Sequence, residues 1–216
     1  MSESAKISNI HYIYQDRPNK ERADKIVKRK LGRLGYELDS TNSNKDVLTA
    51  KRGNNIHINY SGTNINSPRD IISDAALGVG VQRINPQFKE RRQKTRNIMR
   101  QYGNDRDYSL GGHSLGGSIA LNTVSQSKSI RDRTKVAHIF NPGYTKAFHE
   151  SIKPSDKKVK KELNEKVNIH RVKGDLVSAH ANKETAFGNS FEYSHQDKNA
   201  DLSDKHSLDT FMEKDL

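Results

Sequence analysis

Between Gly112 and Gly117 the chain reads Gly-His-Ser-Leu-Gly-Gly. A serine flanked two residues away on each side by glycine is the pattern of a nucleophile held at a sharp strand-to-helix turn. There the serine occupies a strained apex, and the positions two before and two after it must lack bulk because the strand and helix backbones pass close together. The following helix aims backbone N–H groups and a positive dipole end at the serine oxygen. The chemistry this suits is attack on a carbonyl. The hydroxyl then needs a base, an acid to orient that base, and donors for the oxyanion. By composition alone the five-residue pattern arises in about one chain in fifteen of this length. A glycine-rich turn that only packs a helix on a strand would read the same, so the partners of Ser114 decide.

In a strand–turn–helix context of this type the chain order is serine, acid, histidine. About 60 residues on, "VNIHRVKGDLVSAH" places Asp175 just beyond an apparent strand, where parallel sheets gather their site residues. Asp175 can equally serve as a turn residue beside Gly174. Nine histidines compete for the base. His11 and His57 precede the serine, His113 lies inside the turn, and His138 and His170 fall in apparent strands. His149 precedes the acid and His180 shares its loop. His195 and His206 remain, and His206 is preferred because the polar stretch "QDKNADLSDK" before it can hang its side chain over the end of a sheet.

The elements that must hold these residues alternate along the chain. "PNKERADKIVKRKLGRLGY" reads as a helix ending near Gly35, with Ile26, Val27, Leu31 and Leu34 on one face. "KDVLTAKR" and "NIHINYSG" form a strand pair about Gly53-Asn54. A helical stretch near Arg69 to Leu77 follows, then a strongly basic one bounded by Pro86 and Gly103. A strand near "DYSLG", a helix from Leu115 and a strand "KVAHIF" closed by Asn141-Pro142-Gly143 come next. A Lys-rich segment, strands "VNIHRV" and "SFEYS" and a short helix "SLDTFM" complete the pattern. This alternation predicts an α/β fold with a mainly parallel central sheet flanked by helices.

Length suits one domain, residues 1–216. Apolar residues make up only 31% of the chain and mean hydropathy is −0.96, which predicts a thin core. With no cysteine, a disulfide scaffold and a thiolate zinc site are excluded. The first residues lack a signal-peptide core and no apolar run could span a bilayer, so a cytoplasmic location is expected. A net charge of +12 predicts attraction to anions such as phospholipid headgroups or nucleic acid. Aromatics are 6% and do not interleave with the basic runs, which argues against a single-strand nucleic-acid binder.

The residues about Ser114 resemble the class 3 lipase family of the α/β-hydrolase fold, whose elbow is typically G-H-S-L-G-G. "HINYSGTNINSPRDIISDAAL" resembles the upstream R-G-T/S element and the D-W-x-x-D that follows it, with Asp70 and Asp74 in the acidic places. "HIFNPGY" is similar to the family's Y-x-F-G-x-P strand end, and "RVKGDLV" to its D-x-V-P segment. The resemblance runs from about Tyr12 to Phe211. It implies that Thr63, through its N–H and hydroxyl, shares an oxyanion hole with the N–H of Leu115. Ser61 stands where the family has arginine, Ile71 where it has tryptophan, and no proline follows Val177. The compact, cysteine-free form resembles lipase-like proteins of large DNA viruses, which implies packaging in a virion as a second location.

The expected activity is hydrolysis of carboxylic esters of lipids by Ser114, His206 and Asp175 through an acyl-enzyme. That chemistry requires no metal or organic cofactor. Two other classes fit the same letters: an inert α/β-hydrolase scaffold with a structural or binding role, and a nucleic-acid binder drawn by charge. The basic stretch "PQFKERRQKTRNIMR" is expected to help dock the protein on anionic membranes, the alternative being an ordinary solvated helix.

Overall fold

The computed structural model describes residues 3–62, 80–175, 177–178, 185–197 and 199–212. Three helices come first: α1 (Glu3–His11), α2 (Ile13–Asp16) and α3 (Lys20–Gly32). Strands β1 (Glu37–Leu38), β2 (Val47–Arg52) and β3 (Asn55–Tyr60) follow, with Gly53 at φ 56° in the tight turn between the last two. Next are α4 (Gly80–Tyr102), β4 (Asp107–His113), α5 (Leu115–Gln126), α6 (Lys128–Arg133) and β5 (Thr134–Phe140). The rest comprises α7 (Lys146–Ile152), α8 (Lys157–Lys166), β6 (Val167–Val172), β7 (Asn189–Tyr193), α9 (Leu202–His206) and α10 (Asp209–Met212).

The seven strands lie side by side in chain order. β1, β2 and β3 pair antiparallel, and β3 through β7 pair parallel. The fold is therefore α/β with a mainly parallel sheet, as the alternation of elements requires. Parallel strands need long return connections, and α4 to α8 lie in them, covering one face of the sheet. Ile56 and Ile58 of β3, Leu110 of β4, Ile139 of β5 and Ile169 of β6 form the core on that face, joined by Ile98, Leu121 and Leu163 from the helices.

The opposite face is different. The alternate residues of the same strands are His57 and Asn59, Ser109, His138 and His170, and α1 packs across β3, β4 and β5 with Ser4, Ser8 and His11 buried. Much of this polar layer is hydrogen-bonded within itself, while Ser4 Oγ and His57 Nε2 have no partner among the described residues. Ser8 Oγ donates to Asn59 Oδ1 at 2.6 Å, Asn59 Nδ2 donates to His11 Nδ1 at 3.0 Å, and His57 Nδ1 lies 2.9 Å from Ser109 Oγ. His138 Nδ1 and His170 Nε2 are 3.2 Å apart. Toward β1 the same face becomes apolar, with Ile7, Val27, Leu31, Leu48 and Ala50 in contact.

Several elements differ from the sequence reading. α1 carries buried Ser and His on one side, with buried Ile7 and Ile10 on one flank and Ala5 on the other, so it lacks the polar–apolar contrast that marks a surface helix. α4 begins at Gly80, with Pro86 inside the helix. The Pro86 side chain is exposed. The stretch Arg69 to Leu77 lies outside the described residues. The cations of α4 do not form one stripe. Arg91 is buried against Asp46 at 2.7 Å, Arg92 donates to Asn122, Arg96 bonds Gln93 at 3.0 Å, and Lys89 and Arg100 face solvent.

Burial holds the histidines of the polar layer neutral. It lowers His11 to about 4 and His57 and His170 to about 3, and it also lowers His138. Each returns to about 6.5 when the chain unfolds. Below that pH the unfolded state binds more protons than the folded one, so stability falls with pH, by about 1.4 kcal/mol per pH unit for each fully titrating histidine. Urea unfolding followed from pH 8 to pH 5 should show stability falling by several kcal/mol, with the loss beginning near pH 6.5. A flat profile across that window would contradict neutral burial.

Candidate active site

Ser114 joins β4 to α5 with φ 56° and ψ −128°, a conformation costly for any residue with a side chain. The surrounding backbone holds it there. Its N–H donates to the Phe140 carbonyl at 3.0 Å, and its carbonyl accepts from the Gly143 N–H at 3.2 Å. Glycine is required on both sides of it. A Cβ on Gly112 would overlap the Gly116 carbonyl, and one on Gly116 would overlap the carbonyl of Tyr60 at the end of β3. As the first residue of α5, Leu115 has an N–H with no acceptor inside the helix, and it sits beside the serine.

Asp175 follows β6 in a turn through Gly174, at φ 83°, closed by the Asp175 N–H on the Val172 carbonyl at 3.1 Å. Its carboxylate accepts from the N–H groups of Val177 at 3.1 Å and Ser178 at 3.2 Å, and only 1% of the residue is exposed. His206 ends α9, whose start is fixed by a capping box between Asp201 and Asp204. Its Nδ1 lies 3.1 Å from Asp175 Oδ1, and its Nε2 lies 2.9 Å from Ser114 Oγ. With Nδ1–H donating to the carboxylate, Nε2 is left with a lone pair facing the hydroxyl. The three side chains form one buried hydrogen-bonded chain.

His195, the other histidine considered, uses its Nδ1 on the backbone of Asp197, at 3.1 Å to the N–H. Thr63 and His180 lie outside the described residues, as do Asp70 and Asp74. Gly62, just before Thr63, is held by Gln15, whose Nε2 donates to its carbonyl at 2.7 Å. Among the described residues no cluster of three or more His, Asp or Glu could hold a metal ion.

Three residues that reading by type and order passed over support this arrangement. His113 Nε2 donates to the His206 carbonyl at 2.6 Å, so its Nδ1 must accept, and it does so from the Tyr12 hydroxyl at 2.7 Å. Burial fits both roles: it drops the His113 pKa to about 3 and raises that of Tyr12, keeping one ring neutral and the other hydroxyl protonated. Asn141, at φ 39°, accepts from Val172 N–H at 2.9 Å and donates to the carbonyls of Lys205 at 3.0 Å and His206 at 3.2 Å. It thus ties the ends of β5 and β6 to the last turn of α9. The Asn-Pro-Gly turn was the available signal for Asn141. For His113 and Tyr12, 101 residues apart, no local signal exists.

Asn141→Ala should therefore lower unfolding free energy by about 2–4 kcal/mol, because it takes the partner from the buried Val172 N–H and the Lys205 carbonyl and one of two donors from the His206 carbonyl. Tyr12→Phe, which orphans one ring nitrogen, should cost about 1–3 kcal/mol. Urea titration measures both, and unchanged midpoints would remove these residues from the support of His206.

No protein-family model matches the chain, and no curated protein sequence matches it. Among solved structures it is similar to a lipase from Rhizopus microsporus var. chinensis, at 16% identity and a TM-score of 0.44, over 93% of this chain and 78% of that one. It is also similar to naproxen esterase (carboxylesterase NP) from Bacillus subtilis, at 13% identity and a TM-score of 0.30, over 53% of this chain and 61% of that one.

Proposed function

We propose that the protein is a serine hydrolase of carboxylic esters that works through an acyl-enzyme, and that it is a compact relative of the class 3 lipases. The observation that carries this reading is the buried chain Ser114 Oγ, His206 Nε2, His206 Nδ1, Asp175 Oδ1, with links of 2.9 and 3.1 Å. A positive-φ serine at the start of a helix adds to it. The sequence Gly112 to Gly117 supports the narrower family assignment.

In this scheme Ser114 Oγ bonds to the ester carbonyl carbon as its proton passes to His206 Nε2. The carbonyl π electrons move onto oxygen, and the N–H of Leu115 stabilises that charge, with Thr63 as the second donor. Preorganised donors of this kind are each worth about 3–4 kcal/mol of barrier. As the tetrahedral species collapses, the C–O bond to the alcohol breaks and His206 returns the proton to the leaving oxygen. Water then repeats the sequence on the acyl-enzyme and releases the acid. Asp175 keeps Nδ1 protonated and stabilises the imidazolium at each proton transfer.

A fluorophosphonate probe should label Ser114, as located by peptide mass spectrometry, and Ser114→Ala should abolish both the label and ester turnover. His206→Ala should lower turnover by about four to six powers of ten, since such residues act as a unit. His195→Ala should change it by less than about threefold. Labelling elsewhere with Ser114→Ala fully active, or a larger loss at His195 than at His206, would overturn the assignment.

A further inference from the structure

A groove of about 710 Å³ is lined by Leu115, the residue after Ser114, and by Gly62, where an added Cβ would lie 3.2 Å from Ser114 Cβ. Its apolar lining includes Leu115 and Ile119 from the first two turns of α5 and Tyr14 from α2. Its rim is cationic. Arg17, at the exit of α2, and Lys45, in the turn before β2, are both exposed, and neither has an ion-pair partner among the described residues. The other charges of the lining are already matched: Arg91 pairs with Asp46 at 2.7 Å, and Lys20 with Asp24 at 2.7 Å.

A groove for a neutral lipid ester gains nothing from unmatched cations at its mouth. Two of them, carried on separate elements yet lining one groove, raise the local potential where a ligand displaces water. A guanidinium and an ammonium together suit phosphate oxygens: the first can bond two of them side by side, and the second adds a point charge. We infer that this groove selects esters carrying a phosphate group, with Arg17 and Lys45 on the phosphate and an acyl chain over Leu115 and Ile119. The inference rests on the hydrolase reading and deepens it by naming the substrate class: acyl esters of glycerol phosphate.

The test uses two monomeric probes that differ only in the phosphate, dihexanoylphosphatidic acid and dihexanoylglycerol. The full chain should show a kcat/KM at least about tenfold higher for the phosphate-bearing probe, and the ratio should shrink as salt is raised. In Arg17→Gln/Lys45→Gln the ratio should fall to near one. Lys158→Gln/Lys161→Gln, which removes equal charge from exposed positions on α8, should retain it. A ratio near one in the unmodified chain, or one that survives the Arg17/Lys45 change, overturns the inference.

Calorimetry on Ser114→Ala separates this from failure of the chemistry. If neither probe is hydrolysed, the hydrolase reading falls. Tighter binding of the phosphate-bearing probe, lost in the Arg17/Lys45 background, would still support the groove, and equal binding of the two would overturn it. Inorganic phosphate should bind at least about tenfold more weakly than the lipid probe. Equal affinity would overturn the assignment to a substrate headgroup.

Discussion

His206 is held at four points, and most of the structure serves to bring them together. Its ring spans Asp175 and Ser114, while its backbone carbonyl accepts from both His113 and Asn141. Side-chain bonds alone would fix the tilt of the imidazole and leave its position free along the short α9. The carbonyl bonds remove that freedom, because His113 belongs to β4 and Asn141 to the turn after β5. Two central strands thereby reach across to a peripheral helix. Displacing any of these anchors would move a proton acceptor that must stay within hydrogen-bond reach of a hydroxyl.

The sheet imposes the same order on the nucleophile. β4 lies between β3 and β5, and Ser114 is pinned by the end of β5 while Gly116 touches the end of β3. The turn is therefore over-determined, which is the condition for a positive-φ serine to persist. Tyr12 and Gln15 extend the network to the N-terminal helices, one through His113 and the other through the Gly62 carbonyl. The groove beside Leu115 borrows its walls from these same segments, so the residues that shape it and those that brace the serine belong to one packed unit.

That Ser114, Asp175 and His206 meet in one hydrogen-bonded chain was expected from residue type and chain order, because few candidates satisfy both. The parallel sheet was legible for a similar reason: strand and helix periodicities differ and alternate. The bracing residues were not, since their roles exist only after distant segments meet. α1 escaped notice because it is buried on its polar side as well as its apolar one, and periodicity detects contrast. The histidines of β3, β5 and β6 read as strand residues, and so they are. That they form a neutral hydrogen-bonded layer follows from strand register, which pairs His57 with Ser109 and Phe140 with His170. The basic stretch of α4 was expected either to help dock the protein on anionic membranes or to be an ordinary solvated helix; its cations are divided between a buried pair with Asp46, bonds to polar side chains, and solvent.

The contact between α1 and α10 bears on how the chain is made. Ala5 packs with Leu208 and Phe211, so an earlier segment of this sequence shares a cluster with a later one. His206 lies within that late segment. During synthesis the strand carrying Ser114 emerges before residue 206, so the hydrogen bond between Ser114 Oγ and His206 Nε2 can form only after the later segment has emerged and docked. In the proposed hydrolase the serine would therefore gain its base only once that later segment has docked, so the order of synthesis would delay its activation.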